Sequence, residues 1–377
     1  MVDFNYTVSG TANGGVSPFN NTSTEWPVSV MGSTGGIAKF KLADDIFLNL
    51  EGALWLGYNN QILDRSAKNQ STILRWYDDR YTVFMTRTSL SPESNIFGIN
   101  ELSGTLNFDS IGLSLKLAAF SQVEKLAYPY IHNTAGGFPS LQLAGFDTTS
   151  PADIYGPYIG PLAAIIYKPT FLEGLELLAQ VGTAGLDAFS FKTLYETAQI
   201  KYSYSDLKMG DKDATLTGAV YYTHKDPLET VTPTGETVSP TQGVGLSVML
   251  DIPDTLAFNF GYSFNQTDKE GTGIKIKSRF DGINVSANVP IAGVLYLGAG
   301  YSWLQFNETI DAFVDTTEKT AEHAVDFKVV VPFLENHLAV IAGYRATFVD
   351  EMNTLDPLGG DRHVVSIGLT GNLAGEL

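Results

Sequence analysis

Apolar and polar side chains alternate one for one along most of this chain. In TLAFNFGYSFN, Thr255 to Asn265, the residues Leu256, Phe258, Phe260, Tyr262 and Phe264 share one parity. Ala257, Asn259, Gly261, Ser263 and Asn265 take the other. Leu102, Leu106 and Phe108 likewise oppose Glu101, Ser103, Thr105 and Asn107. Val244, Leu246, Val248 and Leu250 oppose Gly243, Gly245, Ser247 and Asp251, and Val325, Phe327, Val329 and Val331 oppose Asp326 and Lys328. A period of two marks an extended strand with two unlike faces, and no long segment keeps a helical period. The pattern predicts about 16 strands. They run over 3–12, 28–43, 46–57, 96–108, 111–122, 157–168, 174–184 and 194–206, then 213–225, 241–252, 255–266, 279–290, 294–306, 322–333, 337–350 and 362–373. Residues 73–90, with RYTVFMTRTSL, read as another strand or as part of a folded loop.

The connections choose between architectures. Any one such strand fits a soluble antiparallel sandwich, greasy face to core and polar face to water. Yet short links (44–45, 109–110, 169–173, 207–212, 253–254, 291–293 and 334–336) alternate with longer ones (58–95, 123–156, 226–240, 267–278, 307–321 and 351–361). An up-and-down barrel across a membrane has tight turns on one rim and long loops on the other; a sandwich has no reason to segregate them. Strands of about 10–13 residues also suit a tilted crossing of the hydrocarbon layer. Tyr58, Tyr158, Tyr167, Tyr204, Tyr222, Tyr262, Tyr301, Trp303 and Tyr344 recur near strand ends, as an interfacial girdle requires. The expected fold is therefore all-β, a transmembrane up-and-down antiparallel barrel with short periplasmic turns and long extracellular loops. Residues 1–377 form one domain.

Composition narrows the chemistry. With 23 Lys and Arg against 41 Asp and Glu, the formal charge is −18, which excludes nucleic acid as a natural partner. The absence of cysteine removes disulfides, thiolate metal sites and thiol nucleophiles. No run of 18 apolar residues exists to form a membrane helix. The start, MVDFNYTVSG, lacks the basic and apolar regions of a signal peptide, so a signal has been removed or never existed. The five histidines make no HExxH motif and no GxSxG elbow occurs. The pair Asp78–Asp79 reads as hydrated loop acids, and acidic loops at 315–323 and 350–361 lack calcium-loop spacing. The chain is expected to be no enzyme and to need no cofactor or metal.

The strand count, loop alternation and length resemble the bacterial outer-membrane general porins over nearly the whole chain. The likeness is architectural and rests on no short motif. It implies an outer-membrane location, surrounding lipid, a homotrimer, and a water-filled channel for passive diffusion of ions and small hydrophilic solutes. It also implies that the third long loop, Val123 to Gly156, narrows the pore, with Glu124, Asp147 and Asp153 as its acids. The second, Tyr58 to Asn95, carries Arg65, Arg75, Arg80 and Arg87 and latches a neighbouring subunit or joins the eyelet. Two features depart from the family: the end, SIGLTGNLAGEL, has Leu373 where a terminal aromatic is usual, and no arginine ladder is visible. The barrel of a larger porin trimmed of an N-terminal cell-wall-binding domain fits as well. So does a barrel that serves as an anchor or adhesin, with loops as its binding surface.

Parity assigns the inner-wall charges. Lys39, Lys41, Glu51, Glu101, Lys116, Glu176, Lys201, Asp326, Lys328 and Arg345 fall opposite the greasy face and are expected to line the pore. A lipid-facing Arg or Lys costs about 2–4 kcal/mol near the midplane, a cost that an aqueous interior avoids. The overall acidity implies a modest cation preference.

Overall fold

The computed structural model describes residues 2–16, 28–59, 96–122, 159–183, 193–227, 237–271, 274–311, 316–333, 338–351 and 362–376. They form sixteen strands. In chain order these are β1 (Val2–Val16), β2 (Val28–Ala43), β3 (Ile46–Asn59), β4 (Ile96–Phe108), β5 (Leu113–Gln122), β6 (Ile159–Tyr167), β7 (Leu175–Thr183) and β8 (Thr193–Met209). The second half continues with β9 (Lys212–Pro227), β10 (Thr237–Ile252), β11 (Leu256–Gly271), β12 (Ile274–Ile291), β13 (Leu295–Asp311), β14 (Thr316–Phe333), β15 (Leu338–Glu351) and β16 (Arg362–Glu376). Each strand pairs antiparallel with its sequence neighbours, and β1 also pairs with β16. The sheet is thus a closed barrel without a free edge, the β arrangement that satisfies every backbone donor in lipid.

The tight rim is built by turn chemistry. Ala292 (φ 50°) and Gly293 (φ 69°) are both left-handed, as in the two-residue turn whose twist matches flanking strands. Val294 N–H closes it on the Ile291 carbonyl at 2.9 Å. Gly112 (φ 70°) leaves room for its neighbour: a Cβ there would sit 1.7 Å from the Lys168 carbonyl oxygen. Its own carbonyl accepts from Lys168 N–H at 2.7 Å, tying one turn to the next.

Burial identifies the two faces of the wall. Large apolar side chains are exposed, among them Leu117, Ile165, Ile200, Val220, Leu246, Phe327 and Val340. Polar side chains of the opposite parity are buried, among them Glu101, Gln180, Gln199, Thr223, Ser247, Asn259 and Ser286. The convex outside is greasy and the concave inside polar, the reverse of a soluble sandwich. On β11 five consecutive outward positions are apolar or aromatic: Leu256, Phe258, Phe260, Tyr262 and Phe264. Registered neighbours continue the belt from Ile291 to Ile283 on β12 and from Leu295 to Trp303 on β13. It runs on from Phe333 to Val325 on β14. At ~3.3 Å per residue the five positions, with half a step at each edge, cover ~33 Å of strand. A tilt of ~40° reduces this to ~25 Å along the membrane normal, the height of an outer-membrane apolar band.

The strands outrun the sequence expectation on the loop side. The links expected at 267–278 and 307–321 are mostly strand, since β11 reaches Gly271, β12 starts at Ile274, β13 reaches Asp311 and β14 starts at Thr316. The reason is a change of solvent. Above the belt the outward face meets water and headgroups, so Gln266, Asp268, Lys275, Lys277 and Arg279 replace apolar residues there. An alternation keyed to greasy outward residues loses its signal at that height, though the ladder continues.

Candidate functional site: the inner wall

Register carries the inner face around the barrel, because directly paired residues point the same way. Glu51 pairs with Ser103, Thr105 with Lys116, Lys116 with Ala164, and Ala164 with Gln180. The inner face continues through Gln199–Tyr221, Tyr221–Gly245, Ser247–Gly261, Gly261–Asn284, Asn288–Gly298 and Gly298–Lys328.

Two unlike arcs result. On β2–β8 the inner face carries charges in company. Lys116 Nζ lies 3.3 Å from Glu101 Oε1, and the two side chains are only 10% and 11% exposed. Glu176 receives Lys201 at 2.8 Å and Lys168 at 3.0 Å near the tight rim. Lys39 stands over the Phe47 ring at 4.3 Å, and Lys41 meets Asp44 at 3.1 Å in the first turn. Leu162 and Leu178 are buried on the same face, and Ile166 packs against the cluster of Ala164, Leu178 and Tyr221. On β9–β13 the buried polar positions are small and uncharged: Thr217, Thr223, Ser247, Asn259, Asn284, Ser286 and Asn288, with glycines and the ring of Tyr221 among them and Asp251 nearer the tight rim. Asn259 donates to Ser286 Oγ at 3.4 Å.

The residues expected to line the pore take these places. Lys39, Lys41, Glu51, Glu101, Lys116, Glu176, Lys201 and Lys328 stand on the inner register. Lys328 lays its stem over Gly298, where a Cβ would come within 2.7 Å of its Cγ and Cε. Asp326 and Arg345 are backbone partners on β14 and β15, their side chains outside the described residues. Glu124, Asp147 and Asp153 lie outside the described residues altogether. Instead of being separately hydrated, Glu101 and Lys116 are buried against each other, since the concave side crowds its side chains together. Among the described residues no group of three or more His, Asp or Glu is placed to hold a metal ion.

Parity bookkeeping missed Tyr221. It is 2% exposed, and its ring lies over Gly245 on the next strand: a Cβ there would sit 1.9 Å from the Tyr221 ring. The signal was the doublet Tyr221–Tyr222, because adjacent strand residues face opposite ways and one ring must enter the interior. An aromatic covering a strand glycine restores the packing the glycine lacks. Gly245→Val displaces that ring and is expected to destabilise the barrel by about 1–3 kcal/mol. Urea unfolding followed by tryptophan fluorescence checks this. Combining it with Tyr221→Ala should return part of the loss, because the clash is gone.

The girdle is visible where side chains are described. Tyr167 and Tyr204 stand at the tight rim, and Tyr222, Tyr262, Tyr301 and Trp303 toward the loop side, all on the outward face. Tyr301 Oη lies 2.7 Å from His323 Nδ1. Tyr58 and Tyr158 fall outside the described side chains.

No protein-family model matches the sequence, and no curated protein matches it. Solved structures do. A loop L8 deletion mutant of OmpT, an outer membrane protein of Vibrio cholerae, aligns over 99% of both chains with TM-score 0.58 and 12% identity. Salmonella typhi OmpF, in a complex with daunomycin, aligns over 98% of this chain and 97% of that one, with TM-score 0.55 and 11% identity. An anion-selective porin from Comamonas acidovorans aligns over 99% of both, with TM-score 0.52 and 9% identity. At such identities the likeness is one of fold, and it spans nearly the whole of each chain. With its lipid-height belt and polar inner face, the chain is a transmembrane β-barrel of the bacterial outer-membrane kind.

Proposed function

We propose that this barrel is a porin: a channel for passive diffusion of ions and small hydrophilic solutes across the bacterial outer membrane, working as a homotrimer and without catalysis. The observation that carries the reading is the inversion of faces. A barrel serving only as an anchor has no need of the polar inner positions found on β4, β5 and β7–β12, whereas a hydrophilic path does. A circumference of sixteen strands is the size at which barrels enclose an aqueous passage. A structural neighbour described as an anion-selective porin supports the same reading.

Planar-bilayer recording tests it. Purified protein is expected to insert with stepwise conductance increments; silent insertion would sink the channel reading. Lys328→Glu reverses one inner-wall charge and is expected to move the zero-current potential in a KCl gradient toward cation preference, because wall charges set ion preference through local fields. Chemical cross-linking in mild detergent tests the trimer. Incubation with lipid and peptide substrates tests the absence of hydrolysis.

A further inference from the structure

The outward face changes character abruptly at one height. A single registered row crosses six strands just above the belt: Glu196, His224, Gln242, Gln266, Arg279 and Asn307. On β12 this row opens a column of cations, Arg279, Lys277 and Lys275, spaced by two residues and hence ~7 Å apart. All three are exposed on the outward side of the wall.

Arg279 is held rather than loose. Its Nε donates to Asp281 Oδ2 at 2.8 Å and its Nη2 to Asp281 Oδ1 at 2.7 Å. Tyr262 Oη donates to the same Oδ1 at 2.9 Å, and the guanidinium carbon lies 5.4 Å from the Phe264 ring centre. Asp281 is thereby used up: its side chain is 12% exposed while that of Arg279 is 52% exposed. A guanidinium has five donors, and this fork occupies two. The remaining donors stand at headgroup height, beside the amides of Gln266, Gln305 and Asn307. Lys277 is one step higher. The other acids beside the column are Asp268, paired in register with Lys277, and Glu270 and Asp311, both paired with Lys275. Lys275, with a carboxylate in register on each side, is offset by them, which leaves Arg279 and Lys277 as the cations that face an anion.

We propose that Arg279 and Lys277, with the amides of Gln266, Gln305 and Asn307, hold a phosphate of an outer-leaflet glycolipid whose acyl chains lie on the belt below. Phosphate matches a planar fork beside an ammonium. The lipid, rather than a free ion, follows from what lies underneath. Phe260, Phe264, Ile283, Val285, Tyr301 and Trp303 continue the same three strands downward as an unbroken apolar surface.

Native mass spectrometry of the purified barrel tests this with three probes: bis-phosphorylated lipid A, the same lipid with its phosphates removed, and inorganic phosphate. The phosphorylated lipid is expected to be retained at least tenfold better than the dephosphorylated one. Lys277→Gln should cut its retention several-fold and Lys277→Gln/Arg279→Gln should abolish the preference. Arg279→Lys, which keeps the charge and loses the fork, should fall between. Lys212→Gln on the opposite rim should match the parent. Heat-modifiable gel mobility establishes that each variant is folded. Equal retention of the two lipids, or an unchanged preference in the folded double variant, overturns the proposal. Full displacement of the lipid by millimolar inorganic phosphate also overturns it, as an ion site unconnected to lipid.

Discussion

Lys116→Met is expected to destabilise the barrel by about 3–5 kcal/mol, the largest single-residue effect predicted for the inner wall. Lys116 and Glu101 stand on β5 and β4, each about nine-tenths covered, with 3.3 Å between Nζ and Oε1. Removing the ammonium leaves a carboxylate without that counter-charge in a place where water reaches it poorly. The loss comes less from a bond surrendered than from a charge left in poor solvation. The double change Lys116→Met/Glu101→Leu should therefore recover much of the loss, and a double-mutant cycle in urea unfolding separates the two contributions. If Lys116→Met proves nearly neutral, the pair is solvated and this part of the interior is wetter than its burial indicates.

Phe260→Arg is expected to cost about 2–4 kcal/mol for the charge alone. Phe260 is the third of five outward apolar positions on β11 and so sits at mid-belt. Gln266→Arg, three outward positions higher on the same strand, should cost about 0–1 kcal/mol, because it lies at the headgroup level. Folding into lipid vesicles, followed by tryptophan fluorescence across a urea series, gives both values. The contrast between them is the test, since a soluble barrel has no depth scale and the two substitutions would not separate by height.

Much of this architecture was legible in the chain. Each of the sixteen strands answers to a predicted segment, because a wall between lipid and a polar interior imposes strict alternation on every strand that crosses it. The tight turn at Ala292–Gly293 was legible too, whereas Gly112, expected within a strand over 111–122, belongs to the turn before β5, which starts at Leu113. Strand ends on the loop side were not, as β11 to β14 show. Their outward positions turn polar at Gln266, Asp281, Gln305 and His323, and the contrast that marks a strand in sequence vanishes while hydrogen bonding goes on.

The candidate site was legible as a parity and not as a constellation. Alternation alone put Glu101, Lys116, Glu176, Lys201 and Lys328 on the polar side. Which of them meet depends on register between strands, and a shift of one residue exchanges every partner. Glu176 with Lys201 spans a strand pair, as does Glu101 with Lys116, and nothing in either segment alone records the match. The same holds for Tyr221 over Gly245 and for the hydrogen bond from Tyr262 to Asp281. The sequence by itself determined the two faces, the strand count and the height of the belt, because each is a one-dimensional consequence of solvent on either side of a strand. Tertiary structure decided the closure of β1 on β16 and the pairing of inner charges. It also decided the cation column of β12 flanked by carboxylates, because these depend on which strands lie side by side and at what offset.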